Sequence, residues 1–468
     1  MKTELALRPV EVTPSLLLAL HAARPGRYPA FLESAAASAT SSGAAVGRFD
    51  ILFAFPGAHL TLDGASHLNA HPDAAADQSF LGALDRWWLR ERTTAPEDPR
   101  LPFTGGWFVY LGYELAGEIE PRLRSAHRQS GAGSQAGPIA QAVRIPAAIV
   151  HERATGNGWI VAEPDSAALL ETIAADIRQV AALDVPANSL LRAEIVEDPP
   201  EQYLRAVVRV LDYIAAGDIY QANLSRGWTA QLNDGITPVH LYQRLRQTNP
   251  GPFCGLAVID ELAVVSSSPE RLVSVRNGWA STRPIAGTRP RGIDSASDAD
   301  LAQELHAHPK ERAEHVMLID LERNDLGRVC RAGTVHVDEF MTIESYAHVH
   351  HIVSNVRGEL RSDVTPGQLL AAVFPGGTIT GCPKVRCMEI IAELEGAPRG
   401  PYTGSMGYLN RDGSMDFNIL IRSLEVRGSQ VTLRAGAGLV ADSIPERELE
   451  ESRAKARGVL RALSKEPA

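Results

Sequence analysis

DPPEQYLRAVVRVLDYIAAGDIYQANLSR, Asp198–Arg226, sets how the rest of the chain is read. The Asp198-Pro199-Pro200 break marks a boundary. Beyond it Leu204, Val207, Val208, Leu211 and Ile214 recur at helical spacing, which predicts a helix over Gln202–Ala216. Gly217 stands where a helix C-cap belongs, and Tyr220–Leu224 then changes to a strand-like run. The helix feeds a strand, yet no G-x-G-x-x-G follows any strand, and the segments downstream do not alternate β-α-β. Strand-like runs recur at Leu262–Ser266, Leu272–Val275, Thr334–Val337 and Val431–Leu433. Helices are predicted over Lys310–Leu321, Pro366–Val373, Val385–Leu394 and Pro445–Ser464. This mixture predicts an α+β fold with antiparallel sheets.

Upstream of the double proline, Gly105–Leu115 is strand-like and Ser166–Ala182 is helical. Between them Ser125–Gly137 (SAHRQSGAGSQAG) lacks apolar periodicity and predicts a flexible surface loop. Two regions are expected, 1–195 and 196–468.

Bulk composition narrows the function. The 468 residues are 44% hydrophobic and 22% charged, a soluble globular balance, with a formal net charge of −10. So acidic a chain argues against nucleic acid or a membrane surface as partner. An anionic substrate would need locally placed cations or a metal. Cys254, Cys330, Cys382 and Cys387 form no C-x-x-C pair and no disulfide framework. The apolar run Leu16–Leu20 follows Glu4 and Glu11 and ends at His21, so it is not a signal peptide, and a cytoplasmic protein is expected.

Taken singly, the polar candidates have ordinary explanations. Glu311 and Glu314 share one helix face, and Glu451 and Lys455 are spaced for an i,i+4 ion pair. His348, His350 and His351 lack a fourth zinc ligand at recognisable spacing. The Pro284–Thr288 and Gly436–Gly438 loops could offer bare backbone N–H groups to a carboxylate, but tight turns look the same.

Their joint order is more specific. GDIYQANLSR (Gly217–Arg226), SSPERL (Ser267–Leu272), RPIAGTRPRG (Arg283–Gly292) and KERAEHVMLIDLERNDLGRV (Lys310–Val329) follow one another. IESYAHVHHIVSNVRG (Ile343–Gly358), FPGGTITGCPKVRCMEII (Phe374–Ile391) and GAGLVADSIPERELEESRAKA (Gly436–Ala456) complete the series. Together they resemble the chorismate-utilising enzymes: anthranilate and aminodeoxychorismate synthase components I and the isochorismate and salicylate synthases. RYPAFLES (Arg27–Ser34) and GYELAGEIEPRL (Gly112–Leu123) extend the likeness more loosely toward the N-terminus.

The resemblance implies two antiparallel β-sheets packed face to face with helices outside. It implies Mg²⁺ on Glu314 and Glu451 with Glu311 close by, a hard cation suited to carboxylates. It implies Arg422 and Tyr402 on the enolpyruvyl carboxylate, and Lys455, Gly436, Ala437 and Gly438 around the ring carboxylate. Glu270 becomes the general acid/base, Gly287, Thr288 and Thr378 lie near the ring, and His351 sits beside the departing C4 hydroxyl. Some members also hold tryptophan in an N-terminal pocket.

Two positions speak to the branch. Water-adding members carry a base lysine where this chain has Gln221, which argues for nitrogen chemistry. Many aminodeoxychorismate synthases carry a nucleophilic lysine where this chain has Ala286, so no covalent intermediate forms there. Asn223, Glu322, His350, Gly376 and Thr380 lean toward aminodeoxychorismate synthase component I. Ala286 and the Phe31–Ser34 tetrapeptide lean toward anthranilate synthase component I. A non-catalytic chorismate-binding homologue is the remaining alternative. None of the four cysteine contexts is a glutaminase G-x-C-x-G turn, so ammonia is expected from a separate glutamine amidotransferase subunit in a heterodimer.

Overall fold

The helix expected after the double proline forms over Pro200–Ala215, with Pro200 in its first turn. Its end needs a left-handed residue: Gly217 has φ of 80° and its N–H donates to the Ile214 carbonyl at 3.0 Å. The strand that follows, Gln221–Gln231, is longer than the apolar run suggested, because it pairs with Gln430–Leu439 from Ala222↔Leu439 to Gln231↔Gln430. The computed structural model describes residues 5–464 except 37, 40–44, 70–78, 94–97, 99, 125–136, 184–188 and 347–348. The expected loop at Ser125–Gly137, Gly137 apart, and His348 therefore lie outside the described residues.

Two antiparallel sheets form the body. The first runs Ala6–Val10, Gly158–Ala162, Ala147–Glu152, Phe49–Ala54, Ala30–Glu33, Phe253–Ile259, Leu262–Ser268, Ser423–Arg427, Gln430–Leu439, Gln221–Gln231 and Val196–Glu197. The second runs Ile285–Pro290, Val349–Glu359, Trp279–Arg283, Arg271–Arg276, Met415–Asn418, Ser405–Asn410, Gly106–Leu111, Pro138–Ile145, His59–Asp63 and Leu68–Asn69. Both sheets draw on both ends of the chain. Leu32 faces Gly255 across one seam, and Val109 faces Gly407 across the other.

Between the sheets lie Phe53, Phe103, Phe108, Tyr110, Val264, Met406 and Tyr408. Phe53 and Phe103 meet edge to face with centroids 5.0 Å apart. Truncating either to alanine would cost about 3–5 kcal/mol. The outer faces are covered by helices: Pro14–Ala23 and Pro238–Thr248 on the first sheet, Phe80–Glu91 and Pro366–Val373 on the second. The expected face-to-face arrangement is the observed one.

Several boundaries differ from expectation. The helix starting at Pro309 runs past the expected end at Leu321 to Gly327, because Glu322 and Asp325 turn inward and are buried. The strand expected at Thr334 begins at His336, after a turn in which Gly333 has φ of 79°. Strand Gly106–Leu111 stops before a 3-10 turn at Tyr113–Leu115, and Leu169–Gln179 is the helical part of Ser166–Ala182. Among the described residues no helix is long and apolar enough to cross a membrane.

Candidate active site

Helix Pro309–Gly327 packs on Ile285–Pro290 and Val349–Glu359 of the second sheet and reaches Gln221 of the first through Glu314, and helix Pro445–Leu460 packs on Gln430–Leu439. Gln221, buried at the start of its strand, donates from Nε2 to Glu314 Oε1 at 2.8 Å. Opposite, a Cβ on Gly438 would stand 2.5 Å from that same Nε2 and 3.5 Å from Glu314 Oε1, so glycine is what lets the three groups meet. Gly436 answers a different need: its neighbour is the Leu224 carbonyl, a close main-chain approach within the sheet. Ala437 between them is fully buried.

The Pro284–Thr288 segment is a strand with a register shift between Ala286 and Thr288 against Val349–Glu359. Gly287 supplies the shift with φ of 63°, a glycine bulge, and lies against Glu311. The bulge turns Thr288 so that its Oγ1 lies 3.0 Å from His351 Nδ1. The Gly287 carbonyl, 3.4 Å from the same nitrogen, can only accept, which favours a proton on Nδ1. Burial pushes the His351 pKa down to about 4, with the nearby Arg422 cation adding to the effect, so the ring is neutral at pH 7. Ala286 is buried and offers no nucleophile.

Arg422 is the site's least conventional residue. It holds φ of 54°, a left-handed backbone that costs a side-chain-bearing residue energy. Its carbonyl accepts from Ser267 N at 3.1 Å, and its Nη1 donates to the Lys455 carbonyl at 2.7 Å. Among the described residues its guanidinium pairs with no carboxylate, and desolvation lowers its pKa while Tyr402 and Glu451 oppose that. An unpaired, half-buried guanidinium beside a buried tyrosine is chemically a carboxylate receptor. Lys455 Nζ sits 2.8 Å from Glu451 on helix Pro445–Leu460.

Glu270 precedes strand Arg271–Arg276, 4% exposed, with Oε1 lacking any hydrogen-bond partner among the described residues. Desolvation raises its pKa to about 8, the Glu322 carboxyl adds to that, and the Thr378 hydroxyl and Lys455 oppose it. Thr378 Oγ1, Gln221 Oε1 and Asn223 Oδ1 are likewise buried without regular hydrogen bonds. Buried polar atoms are normally satisfied, so four orphans on one site mark the place of a polar ligand.

The acids also bear on a metal. Desolvation raises the Glu314 pKa, with Gln221 opposing and the charges of Glu311 and Glu451 reinforcing. A hard dication would relieve that repulsion, so the donor chemistry fits Mg²⁺. Among the described residues no three His, Cys, Asp or Glu side chains converge on one point.

The chorismate binding enzyme family pattern matches residues 35–461. The chain belongs to the chorismate-binding enzyme family. A Synechocystis protein called anthranilate synthase component I-like is 45% identical over 365 residues, covering 78% of this chain and 73% of its own. Aminodeoxychorismate synthase component 1 of Bacillus subtilis is 50% identical over 261 residues, 56% of this chain and 55% of its own. Anthranilate synthase component 1 of Thermus thermophilus is 51% identical over 263 residues, 56% of each chain. The matches to these last two thus span little more than half of their length. The crystal structure of anthranilate synthase component I from Streptococcus pneumoniae TIGR4 superposes with a TM-score of 0.74 at 28% identity, covering 88% of this chain and 92% of that one.

Of the residues expected from the family resemblance, Gln221, Ala286–Thr288, Glu311, Glu314, His351, Gly436–Gly438, Glu451 and Lys455 lie on these strands and helices, while Glu270, Thr378, Tyr402 and Arg422 lie on the turns beside them. What spacing did not reveal is the support around them. Buried Arg399 donates to Glu395, to the Asn223 carbonyl at 2.7 Å and to the Ile379 carbonyl at 3.1 Å, so it ties the Asn223 strand to the Thr378 turn. Glu395 in turn accepts from Arg434 and from Ser225 N. The PRGPYTG run carries Arg399, but nothing in it names those partners. The Phe31–Ser34 tetrapeptide stands elsewhere, on a second cleft of about 400 Å³ lined by Ser34, Arg271, Met406, Tyr408 and Asn418.

Proposed function

We propose that this chain is an aminodeoxychorismate synthase component I, which aminates chorismate to 4-amino-4-deoxychorismate for p-aminobenzoate and folate synthesis without a covalent lysine intermediate. The observation that carries the nitrogen chemistry is Gln221. Its amide is spent on Glu314, and it cannot deprotonate water, whereas neutral ammonia attacks without a base. In this reading Arg422 and Tyr402 grip the enolpyruvyl carboxylate, and Lys455 with Gly436–Gly438 receives the ring carboxylate. Glu270, protonated at neutral pH, donates to the C4 oxygen as it departs as water, and neutral His351, steadied by Thr288, orients that hydroxyl. Glu314 and Glu451, with Glu311 near, would hold Mg²⁺, which supplies electron withdrawal from the ring carboxylate. With Ala286 in place of a nucleophile, a first ammonia takes C2 and a second enters C4 as the first leaves.

Ammonia comes from a separate glutamine amidotransferase subunit, and the isolated chain should use ammonium salts while leaving glutamine intact. Anthranilate synthase component I is the second reading, favoured by Ala286 and by the Thermus relative. Tryptophan is proposed for the second cleft and is tested by its effect on turnover and thermal stability. The deciding experiment is mass spectrometry and fluorescence of the product from chorismate, Mg²⁺ and ammonium. Aminodeoxychorismate, giving p-aminobenzoate only with an added lyase, supports the proposal. Fluorescent anthranilate with pyruvate replaces it by the second reading.

A further inference from the structure

Behind Glu270, three more ionisable groups are packed away from solvent. Glu322 (6% exposed) and Asp325 (2% exposed) lie one turn apart on helix Pro309–Gly327. Asp325 Oδ2 accepts from Lys384 Nζ at 2.5 Å, and that ammonium also reaches the Val373 carbonyl at 3.4 Å. Glu322 lies against Gly377 and has no ion-pair partner of its own among the described residues. Asp325 and Lys384 line a groove of about 800 Å³ on the outer side, whereas Glu270 faces the candidate active site. The acids therefore bridge the site to the molecular surface.

We propose that Glu322, Asp325 and Lys384 form a buried proton reservoir behind Glu270, with Glu322 the positioning residue that keeps Glu270 in its acid form. The inference rests on the reading of Glu270 as general acid. Its basis is charge count. Three buried carboxyls share one directly paired ammonium, an arrangement that disfavours ionising all three together and favours keeping a proton in the block. Two more cations face the block and pull the other way, but Arg328 beside Asp325 is exposed and Lys455 beside Glu270 is already paired with Glu451, while Asn324 and Thr378 are neutral. Glu322 is held higher than an ordinary glutamate by burial and then by Asp325, against the pull of Lys384. The unpartnered Glu270 Oε1 is where a substrate oxygen would take that proton.

The step balances. The C4–O bond breaks with its electron pair on oxygen, and the Glu270 proton completes a departing water. The ammonia that forms the new C–N bond sheds one proton, which refills Glu270 and the carboxyls behind it. No external acid is consumed.

The test is the pH profile of kcat for chorismate consumption by the full chain with Mg²⁺, holding free ammonia constant, in wild type, E322Q, E322D and E270Q. Removing the Glu322 charge should move the alkaline limb down by about one pH unit or more. E322D, which restores a carboxylate, should return it toward wild type. If E322Q and wild type share one limb while E270Q is dead, the reservoir is wrong and the acid assignment stands. If E270Q turns over like wild type, the assignment of Glu270 itself falls. Infrared titration of the wild type gives an answer even if E322Q misfolds. A protonated carboxyl band should persist at pH 7 and fade near pH 8, and its absence would overturn the proposal.

Discussion

Two buried acid clusters in this molecule are handled in opposite ways. In the N-terminal part of the first sheet, Glu33 accepts from Arg153, Arg246 and Tyr242 at 2.6, 2.6 and 2.7 Å. Its neighbour Asp50 accepts from Arg153 at 2.8 Å and from Ser34 N at 2.9 Å, with His151 at 2.8 Å. Two carboxylates there meet two guanidiniums, an imidazole and a phenol. Around Glu270 and Glu322 the carboxyls meet hydroxyls, amides and each other, with Lys384 committed to Asp325. The first cluster pairs its charges and so holds a shape, although burial still raises the Glu33 carboxyl against the pull of Arg246. The second leaves charge and hydrogen bonds unmet, which costs stability and is explained by a ligand and a proton that have work there.

The contrast is broken most severely by Glu270→Gln. Turnover should fall by about 10²–10⁴, while chemical denaturation shows unchanged or higher stability, because a neutral amide replaces an uncompensated acid. The pH dependence follows. Glu270 is raised from 4.5 to about 8, so the native state holds the extra proton between those values. Its contribution to stability is full below pH 4.5 and is lost as pH rises through about 8. E270Q should remove that alkaline decline, and an identical decline in both proteins would contradict the assignment. In the satisfied cluster Arg153→Ala should do the reverse. It leaves Glu33 and Asp50 short of charge, costing about 3–5 kcal/mol on urea unfolding, while kcat per folded molecule stays put.

Arg422 extends the comparison to a cation. Paired guanidiniums such as Arg153 serve the fold, whereas Arg422 has no carboxylate of its own among the described residues. Arg422→Lys keeps the charge but loses the fork. Steady-state kinetics should show KM for chorismate raised roughly 10- to 100-fold, equivalent to about 1.5–3 kcal/mol for a charged hydrogen bond. A KM unchanged within error would leave Arg422 outside the substrate site.

How much of this was readable beforehand depends on range. Helix Pro200–Ala215 and its Gly217 end were legible, since spacing and a local φ requirement suffice. The α+β class followed from the missing alternation. The candidate residues came from motif order, but no single motif places Gly438 against Gln221 or Gly287 against Glu311; tertiary packing does that. The satisfied cluster was invisible: Glu33, Asp50, Arg153 and Arg246 come from four separate elements, and no periodicity joins them. Glu322 and Asp325 fell beyond the expected helix end at Leu321, because a one-dimensional pattern cannot say that Lys384 waits on the far side.

The finest test removes one hydroxyl from each cluster. Tyr242 donates to Glu33 at 2.7 Å and is fully buried, so Tyr242→Phe deletes a made bond while two arginines remain. The expected loss is about 1–2 kcal/mol in unfolding free energy, with activity unaltered. Among the described residues Thr378 Oγ1 makes no hydrogen bond of regular geometry and at most a loose one to Glu270, so Thr378→Val deletes little the fold uses. Stability should hold or rise slightly, since a buried orphan is replaced by a methyl of similar shape. Turnover should nevertheless drop, because that hydroxyl is one of the groups set toward Glu270 and the ligand. Equal losses of stability from the two substitutions would mean that Thr378 is a structural donor like Tyr242. The orphaned atoms would then cease to mark the site, and the division between the two clusters would rest on Glu270 and Arg422 alone.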